Sequence, residues 1–218
     1  ILAGALGIPF IPTKFLRGSD LLNEKNDGFR TIRDRDPKVP KKKFVTMKDP
    51  VWEGDDVVLV PALRPDVCIL HVQEVAEDGT ARISGGAFLD YYAAMASGTT
   101  IISAEKIVPN EQLNETREEN TIPGELVTAI MEVPFGGHPT AVHSYYDNDP
   151  LWFQEYIKCS KTRESMDQWL ERWIYTVDSY QDYLNMVGRK RLTRLIADPD
   201  YGYAPNIIRR LDKIMEVE

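Results

Sequence analysis

The chain has 218 residues, room for one α/β domain with an appended helical piece. Hydrophobic residues make up 43% and charged residues 28%, the balance of an ordinary globular protein, not of a disordered or fibrous one. The 26 Lys and Arg against 34 Asp and Glu leave a net charge of -8, which excludes a general nucleic-acid binder, because phosphate-backbone binding needs a concentrated positive surface.

The chain opens on "ILAGALGIPFIPTKFLRGSDLL". Residues 2 to 7 read as the end of a buried helix, and Ile8 to Pro12 as a buried strand. No basic region and small-residue cleavage site mark a secretory signal, and Lys14 and Arg17 cut the apolar run short of the ~20 residues that cross a membrane. A cytoplasmic protein is expected, without a membrane partner. An amino end this apolar predicts a chain that starts partway through a larger sheet and exposes an apolar patch when isolated.

From Phe10 to Lys43 the sequence is irregular and polar, a long surface excursion with one short helix at "GSDLLNEKN". It holds the one basic cluster, Lys38 and Lys41-Lys42-Lys43 after Arg30, Arg33 and Arg35. A solvated loop is the plain reading of such a run. The sharper one is a contact to a polyanion, for example the phosphates of a nucleotide-bearing ligand.

Then "DDVVLVPA" and "DVCILHVQEV" follow, apolar at consecutive positions as in strands covered on both faces. "EDGTARISGG" gives a turn, a short strand and a glycine pair. "AFLDYYAAMASG" has helical spacing and ends at Gly98 as a C-cap. "TTIISAEKIV" and "GELVTAIMEVPFG" are two more strands. Strands alternating with helices predict an α/β fold, a mostly parallel sheet flanked by helices.

After Asp147, three segments carry large apolar residues at helical spacing. In the second, Met166, Trp169, Leu170 and Trp173 share one face, with Thr162 and Glu164 as its start signal. No linker divides them from the sheet. The expectation is a single domain over 1–218, with a sheet region over 1–146 and a C-terminal helical cap over 147–218.

Cys68 and Cys159 lie in unlike contexts without a CxxC partner, which predicts reduced thiols in place of a disulfide. His71, His138 and His143 lack metal-ligand spacing, so no metal is expected.

Four stretches join glycine and polar residues at strand ends, where open α/β sheets place ligands. In the first, Gly18 and Ser19 open a helix toward an anion, or Ser19 is simply an N-cap. In the second, His71, Gln73 and Glu74 follow the strongest strand, and Gln73 can bond a bound carbonyl or thioester. Glu74 is a weak general-base candidate. The third, Gly85 and Gly86, and the fourth, Gly136 and Gly137, allow a ligand close to the backbone. His138 beside Pro139 reads as a structural hydrogen-bonder. No P-loop, GxGxxG, GxSxG or spaced His/Cys set is present, so the residues point to an anionic or acyl ligand and to no self-contained catalyst.

The segments "ALGIPFIPTKFLRGSDL", "RPDVCILHVQEVAEDGTARISGG", "PFGGHPT", "YYDNDP", "SYQDYL" and "GRKRLTRL" occur in an order and spacing that resembles the A subunits of glutaconate-type, family I CoA-transferases, from residue 1 to about Gly202. The resemblance implies the C-terminal two-thirds of such a protein, with a further N-terminal segment of it preceding Ile1. It implies coenzyme A and acyl-CoA as substrates, no permanently bound cofactor, and a CoA-transferase B subunit as partner in a hetero-oligomer. A glutamate of that B subunit would attack the thioester, giving an acyl anhydride and then a glutamyl-CoA thioester. No catalytic residue is then expected in this chain, Glu74 included. Ser19, Gln73, Gly85, Gly86, Gly136 and Gly137 become lining residues for the carboxylate and acyl-CoA substrates.

Steroid ring-opening hydrolases resemble the same family and use an acid and an arginine on the A-type chain. Lys14 stands near where that arginine is expected, which disfavours this alternative without excluding it; the acid would lie before Ile1. A non-catalytic scaffold is the third reading.

Overall fold

The computed structural model describes residues 1–205 and Ile207; the end of the expected helical region lies outside the described residues. One helical turn, α1 (Leu2–Ala5), begins the chain and buries Ala3. Gly4 has no room for a side chain against the Leu63 carbonyl, so the turn packs closely there and beside Ala96. Three strands follow: β1 (Phe10–Thr13), β2 (Val45–Lys48) and β3 (Asp56–Pro61). They form an antiparallel sheet in the order β1-β3-β2, with Ile11 opposite Val60 and Met47 opposite Val57. Only the central strand buries its valines, Val57 and Val58. The expected buried strand at Ile8 to Pro12 is instead an edge strand with Phe10 exposed, because it pairs on one side alone.

Between β1 and β2 the excursion runs as turns. The expected helix at "GSDLLNEKN" is two 3-10 turns, Asp20–Leu22 and Glu24–Asn26.

A second sheet carries β4 (Val67–Ala76), β5 (Ala81–Arg82), β6 (Thr99–Val108) and β7 (Ala129–Glu132) in the order β5-β4-β6-β7. β4, β6 and β7 are parallel, and β5 turns back antiparallel through Gly79, whose φ of +92° favours glycine. The first crossover contains α2 (Asp90–Ala96), the second α3 (Asn110–Asn114). Gly98 does not cap α2, which ends at an extended Ser97; the Gly98 N–H bonds Pro65 instead.

One face of this sheet packs Val72, Ile102 and Ala104 against Ala94 of α2; Val75, on the other face, joins the same cluster with Ala81 and Ile122. The opposite face is not sealed. Ile69 of β4 is 72% exposed, with Val67 and Met131 also open, whereas runs apolar at every position had suggested cover on both sides. The α/β class, the parallel strands and the flanking helices are all present. The separate antiparallel sheet was not foreseen.

The C-terminal helices are α4 (Pro150–Cys159), α5 (Arg163–Leu170), α6 (Tyr180–Val187) and α7 (Arg189–Leu195). Asp149, Thr162 and Ser179 cap the first three through their side chains. α5 runs on into a π-turn, Glu171–Tyr175, which brings Trp173 beside Trp169 in a core with Val187 and Leu192. Met166 and Leu170 pack against that core, so the expected helical face is the buried one. Cys68 is buried, Cys159 half-buried, and both thiols are free. Among the described residues no helix is long and apolar enough to cross a membrane, and no group of three or more His, Cys, Asp or Glu could hold a metal.

Candidate functional site

Parallel register sets His71 of β4 beside Ser103 of β6, and the period of two puts Glu105 on the same face. The three side chains form a chain of bonds. His71 Nε2 lies 2.6 Å from Glu105 Oε1, and His71 Nδ1 lies 2.9 Å from Ser103 Oγ. A carboxylate only accepts, so Nε2 carries the proton, while Nδ1 pairs with Ser103 Oγ, which also reaches Leu70 O at 3.3 Å.

Glu105 takes two further donors. The Tyr146 hydroxyl donates to Oε1 at 2.6 Å, and the Phe135 N–H donates to Oε2 at 2.7 Å. The Gly137 N–H in turn donates to Tyr146 Oη at 2.8 Å. The Glu105 side chain is 4% exposed and that of His71 is 16% exposed, so the ring edge, with the half-buried Ser103, meets solvent while Glu105 does not. Burial pushes the Tyr146 phenol well above its ordinary pKa, and its bond to the Glu105 carboxylate pushes the same way.

The glycine pair at 136 and 137 lies directly over this ring. A Cβ at Gly136 would stand 2.6 Å from His71 Cε1, and one at Gly137 would stand 2.6 Å from Val142 Cγ2. The Gly136 N–H is bonded to Val133 O at 2.8 Å and that of Gly137 to Tyr146, so both amides point inward. What approaches this backbone is the protein's own imidazole.

Gln73 is placed differently from its expected position past a strand. It sits inside β4, buried, and its carboxamide is engaged on backbone. Oε1 accepts the Ser84 N–H at 3.1 Å, while Nε2 donates to Ser84 O at 3.1 Å and to His143 O at 3.3 Å. Gln73 is thus a tie between two loops. Gly85, at φ +99°, packs on the His143 ring side, and Gly86 packs under the exposed Phe88 ring. Glu74 accepts from Gln112 at 3.2 Å.

The second, third and fourth stretches therefore converge, joined by Gln73 and by the loop carrying His143 and Tyr146. The first does not join them. Ser19 Oγ accepts the Leu21 N–H at 3.2 Å as the cap of a three-residue turn, and Lys14 lies 3.9 Å from Asp49.

His138 is a buried connector. Its Nδ1 receives the Tyr183 hydroxyl at 2.6 Å and its Nε2 donates to Asp149 Oδ2 at 2.9 Å. Arg191 reaches the same carboxylate, with Nε 2.6 Å from Oδ2 and Nη2 2.9 Å from Oδ1. Burial raises the Asp149 pKa, but the bonds from His138 and Arg191 outweigh it and hold the group below the ordinary carboxylate range.

Ser103, Glu105, Tyr146, Asp149 and Arg191 were not singled out from sequence. Glu105 had a signal, the one acid of β6, two positions after Ser103. Tyr146 and Asp149 lie in "YYDNDP" and Arg191 in "GRKRLTRL".

Residues 1–133 match the family Coenzyme A transferase. The chain is 37% identical over 201 residues to the A subunit of the glutaconate CoA-transferase of Acidaminococcus fermentans, covering 92% of this chain and 62% of that relative. It superposes on the crystal structure of that organism's glutaconate coenzyme A-transferase with a TM-score of 0.86 at 36% identity, over 94% of this chain and 64% of that one. It is also 29% identical over 182 residues to the A subunit of the 3-oxoadipate CoA-transferase of Pseudomonas knackmussii, and 27% identical over 184 residues to the cholesterol ring-cleaving hydrolase IpdA subunit of Rhodococcus jostii. These alignments cover 83% and 82% of this chain and 57% and 58% of the two relatives.

Proposed function

The chain belongs to the coenzyme A transferase family, and from that premise we propose that it works as the A subunit of an acyl-CoA:carboxylate CoA-transferase on dicarboxylic, glutaconate-like substrates. The observation that carries the reading is the likeness to the A chain of the glutaconate enzyme over 92% of this chain. Coenzyme A enters as part of the substrate, and no permanently bound cofactor is invoked.

In the proposed reaction a glutamate of the B subunit attacks the acyl-CoA carbonyl and the CoA thiolate leaves, giving a mixed anhydride. The thiolate then attacks the glutamyl carbonyl and releases the first carboxylate. The acceptor carboxylate attacks the resulting glutamyl-CoA thioester, forms a second anhydride, and takes the CoA in the final step. Thioester energy is retained because water is kept out.

The described residues support a nucleophile from elsewhere. Of the four buried carboxylates among the described residues, Glu105 accepts three bonds, Asp149 is held by His138 and Arg191, Asp49 accepts the Val51 and Trp52 amides, and Asp147 accepts the Ala204 amide. The part we assign to this chain is a wall: the His71 ring edge and the loops tied by Gln73. Free thiols at Cys68 and Cys159 suit a reducing compartment, and we place the protein in the cytoplasm.

The test is co-expression with a CoA-transferase B subunit, followed by an assay of CoA exchange between an acyl-CoA and a free dicarboxylate. Exchange that disappears when one partner glutamate is replaced, with a borohydride-reducible enzyme–CoA thioester, is the expected result. CoA-ester ring opening or hydrolysis without exchange would place the chain with the hydrolases. Neither activity would leave a scaffold.

A further inference from the structure

On the open face of the parallel sheet a hydroxyl, an imidazole and a carboxylate stand in line. The register pairs His71 with Ser103 and Ile69 with Ile101, and sets Met131 of β7 on the other side of Ser103. A period of two then puts all five, with Glu105, on one face. Ser103 Oγ lies 2.9 Å from His71 Nδ1, closer than the 3.3 Å to Leu70 O, and His71 Nε2 lies 2.6 Å from Glu105 Oε1. In the neutral ring the Nε2 proton is bonded to the carboxylate, which leaves the Nδ1 lone pair as a base facing the hydroxyl. These are the contacts of a serine–histidine–carboxylate relay, with the two ring nitrogens in opposite roles from those in the serine proteases.

The surroundings suit a covalent acceptor better than a turnover catalyst. Glu105 is fixed by the Tyr146 hydroxyl and the Phe135 N–H, so it holds the ring in place. Ser103 is half-buried, but the apolar side chains beside it are open, Ile69 at 72% and Met131 at 47% exposed. An acyl chain can lie on that shelf. The amides of the turn over the ring, at Phe135, Gly136 and Gly137, are all bonded already, so none of the three is left to receive an oxyanion. An activated donor brings its own good leaving group. Hydrolysis of the resulting serine ester has neither that nor an oxyanion hole, so the acyl group should stay.

We propose that Ser103 is an acyl-acceptor site, taking the acyl group of an activated ester of a short apolar acid. Oγ attacks the carbonyl carbon, the Oγ proton passes to His71 Nδ1, and the ester's alcohol leaves with that proton. The product is an O-acylserine, and no further reactant is needed. His71 is the base, and Glu105 is a positioning residue that acts through it. The step uses no glutamate of a partner chain, so it stands or falls apart from the transferase reading.

The experiment is incubation of the full chain with p-nitrophenyl butyrate and, separately, with a fluorophosphonate, followed by peptide mass spectrometry. A burst of about one equivalent of p-nitrophenolate should precede a slow steady rate, with the butyryl group found on Ser103. The fluorophosphonate should mark the same residue. Ser103→Ala should remove both the burst and the label while the melting temperature shows a folded chain. Glu105→Gln should slow the burst at least about tenfold, but it also loosens the fold, so the pH profile of the wild-type chain is the separate readout for the relay. The burst rate should rise with pH and level off once Nδ1 carries no proton, whereas a hydroxyl without a base reacts in proportion to hydroxide. The titratable groups facing the ring are Glu105 and, across that carboxylate, Tyr146, whose phenol burial keeps protonated; the turn over the ring presents backbone. Label only on other residues, a burst that survives Ser103→Ala, or a rate that follows hydroxide without a plateau would overturn the site. Steady turnover at the burst rate would overturn its standing as an acceptor.

Discussion

The imidazole of His71 lies so close under the backbone of Gly136 that a methyl group at position 136 would sit 2.6 Å from its Cε1 atom. Gly136→Ala must therefore move either the ring or the turn, and the ring is bonded on both nitrogens. The expected loss is about 1–3 kcal/mol by denaturant unfolding. His71→Ala removes the ring from that methyl group but leaves the Val133 carbonyl oxygen 2.8 Å from it, so the two changes together should cost less than their sum while a residual cost at position 136 persists. Additive losses would show that the contact is not what excludes the methyl group.

Glu105 is the hub beneath that contact. Glu105→Gln keeps the shape but turns one acceptor into a donor facing His71, Tyr146 and the Phe135 amide, and should cost about 2–3 kcal/mol. Tyr146→Phe removes one donor to Glu105 and the acceptor of the Gly137 N–H, with an expected cost of about 1–3 kcal/mol. Paired unfolding curves should show coupling between the two changes, because both act on one carboxylate.

The strands were legible because apolar runs bounded by Asp, Pro and Gly carry a strong local signal, and the Trp169–Trp173 face because helical spacing does. Which strands pair was not. "DDVVLVPA" and "DVCILHVQEV" read alike, yet β3 is the centre of an antiparallel sheet and β4 belongs to a parallel one. Register between distant strands decides that, and it is also what sets Ser103 beside His71. The glycine pairs read as places where a ligand comes close to the backbone, but sequence spacing does not say what approaches. At Gly136 it is a side chain 65 positions back.

Acid should destabilise the protein partly through Asp149. Its folded pKa lies below the ordinary value of about 3.9, so its contribution is complete above that pH and is lost as pH falls through the lower folded pKa. Asp149→Asn should flatten the fall in unfolding free energy below about pH 4 and lower stability at neutral pH. The slope will not vanish, since Asp27, Asp49 and Asp55 are held low as well. An unchanged acid slope in the variant would remove Asp149 from the cause.

Alkali acts through buried phenols. Burial, with the nearby Asp149 charge, pushes Tyr183 up to about 12, and burial near Glu105 pushes Tyr146 and Tyr180 further in the same direction. Raised folded values mean full stability below the unfolded pKa of about 10 and a decline as pH climbs toward 12 and beyond. Phenolate absorbance should therefore rise in one step with loss of structure, and Tyr183→Phe should soften that step. Gradual titration of these phenols in a folded chain would contradict the burial.

The two faces of the parallel sheet should respond oppositely to mutation. Ile69→Thr, on the open face, should change stability by less than about 0.5 kcal/mol and reduce the binding of a hydrophobic dye such as ANS. Ile102→Ala, in the sealed core, should cost about 2–5 kcal/mol. A large loss at Ile69 would mean that its face is covered in solution.

The Asp149 joint also bears on how the protein is made. The carboxylate precedes its arginine by 42 positions, and the phenol behind His138 comes 45 positions after that histidine. A ribosome adding about 5–20 residues per second reaches Arg191 roughly 2–8 s after Asp149. Early in that interval the nascent chain holds the His138–Asp149 pair without Tyr183 and Arg191, the partners that complete it. The sheet can form first, but its junction with the helices cannot close until Arg191 has been added, and a stall before that residue would release a chain with the junction open.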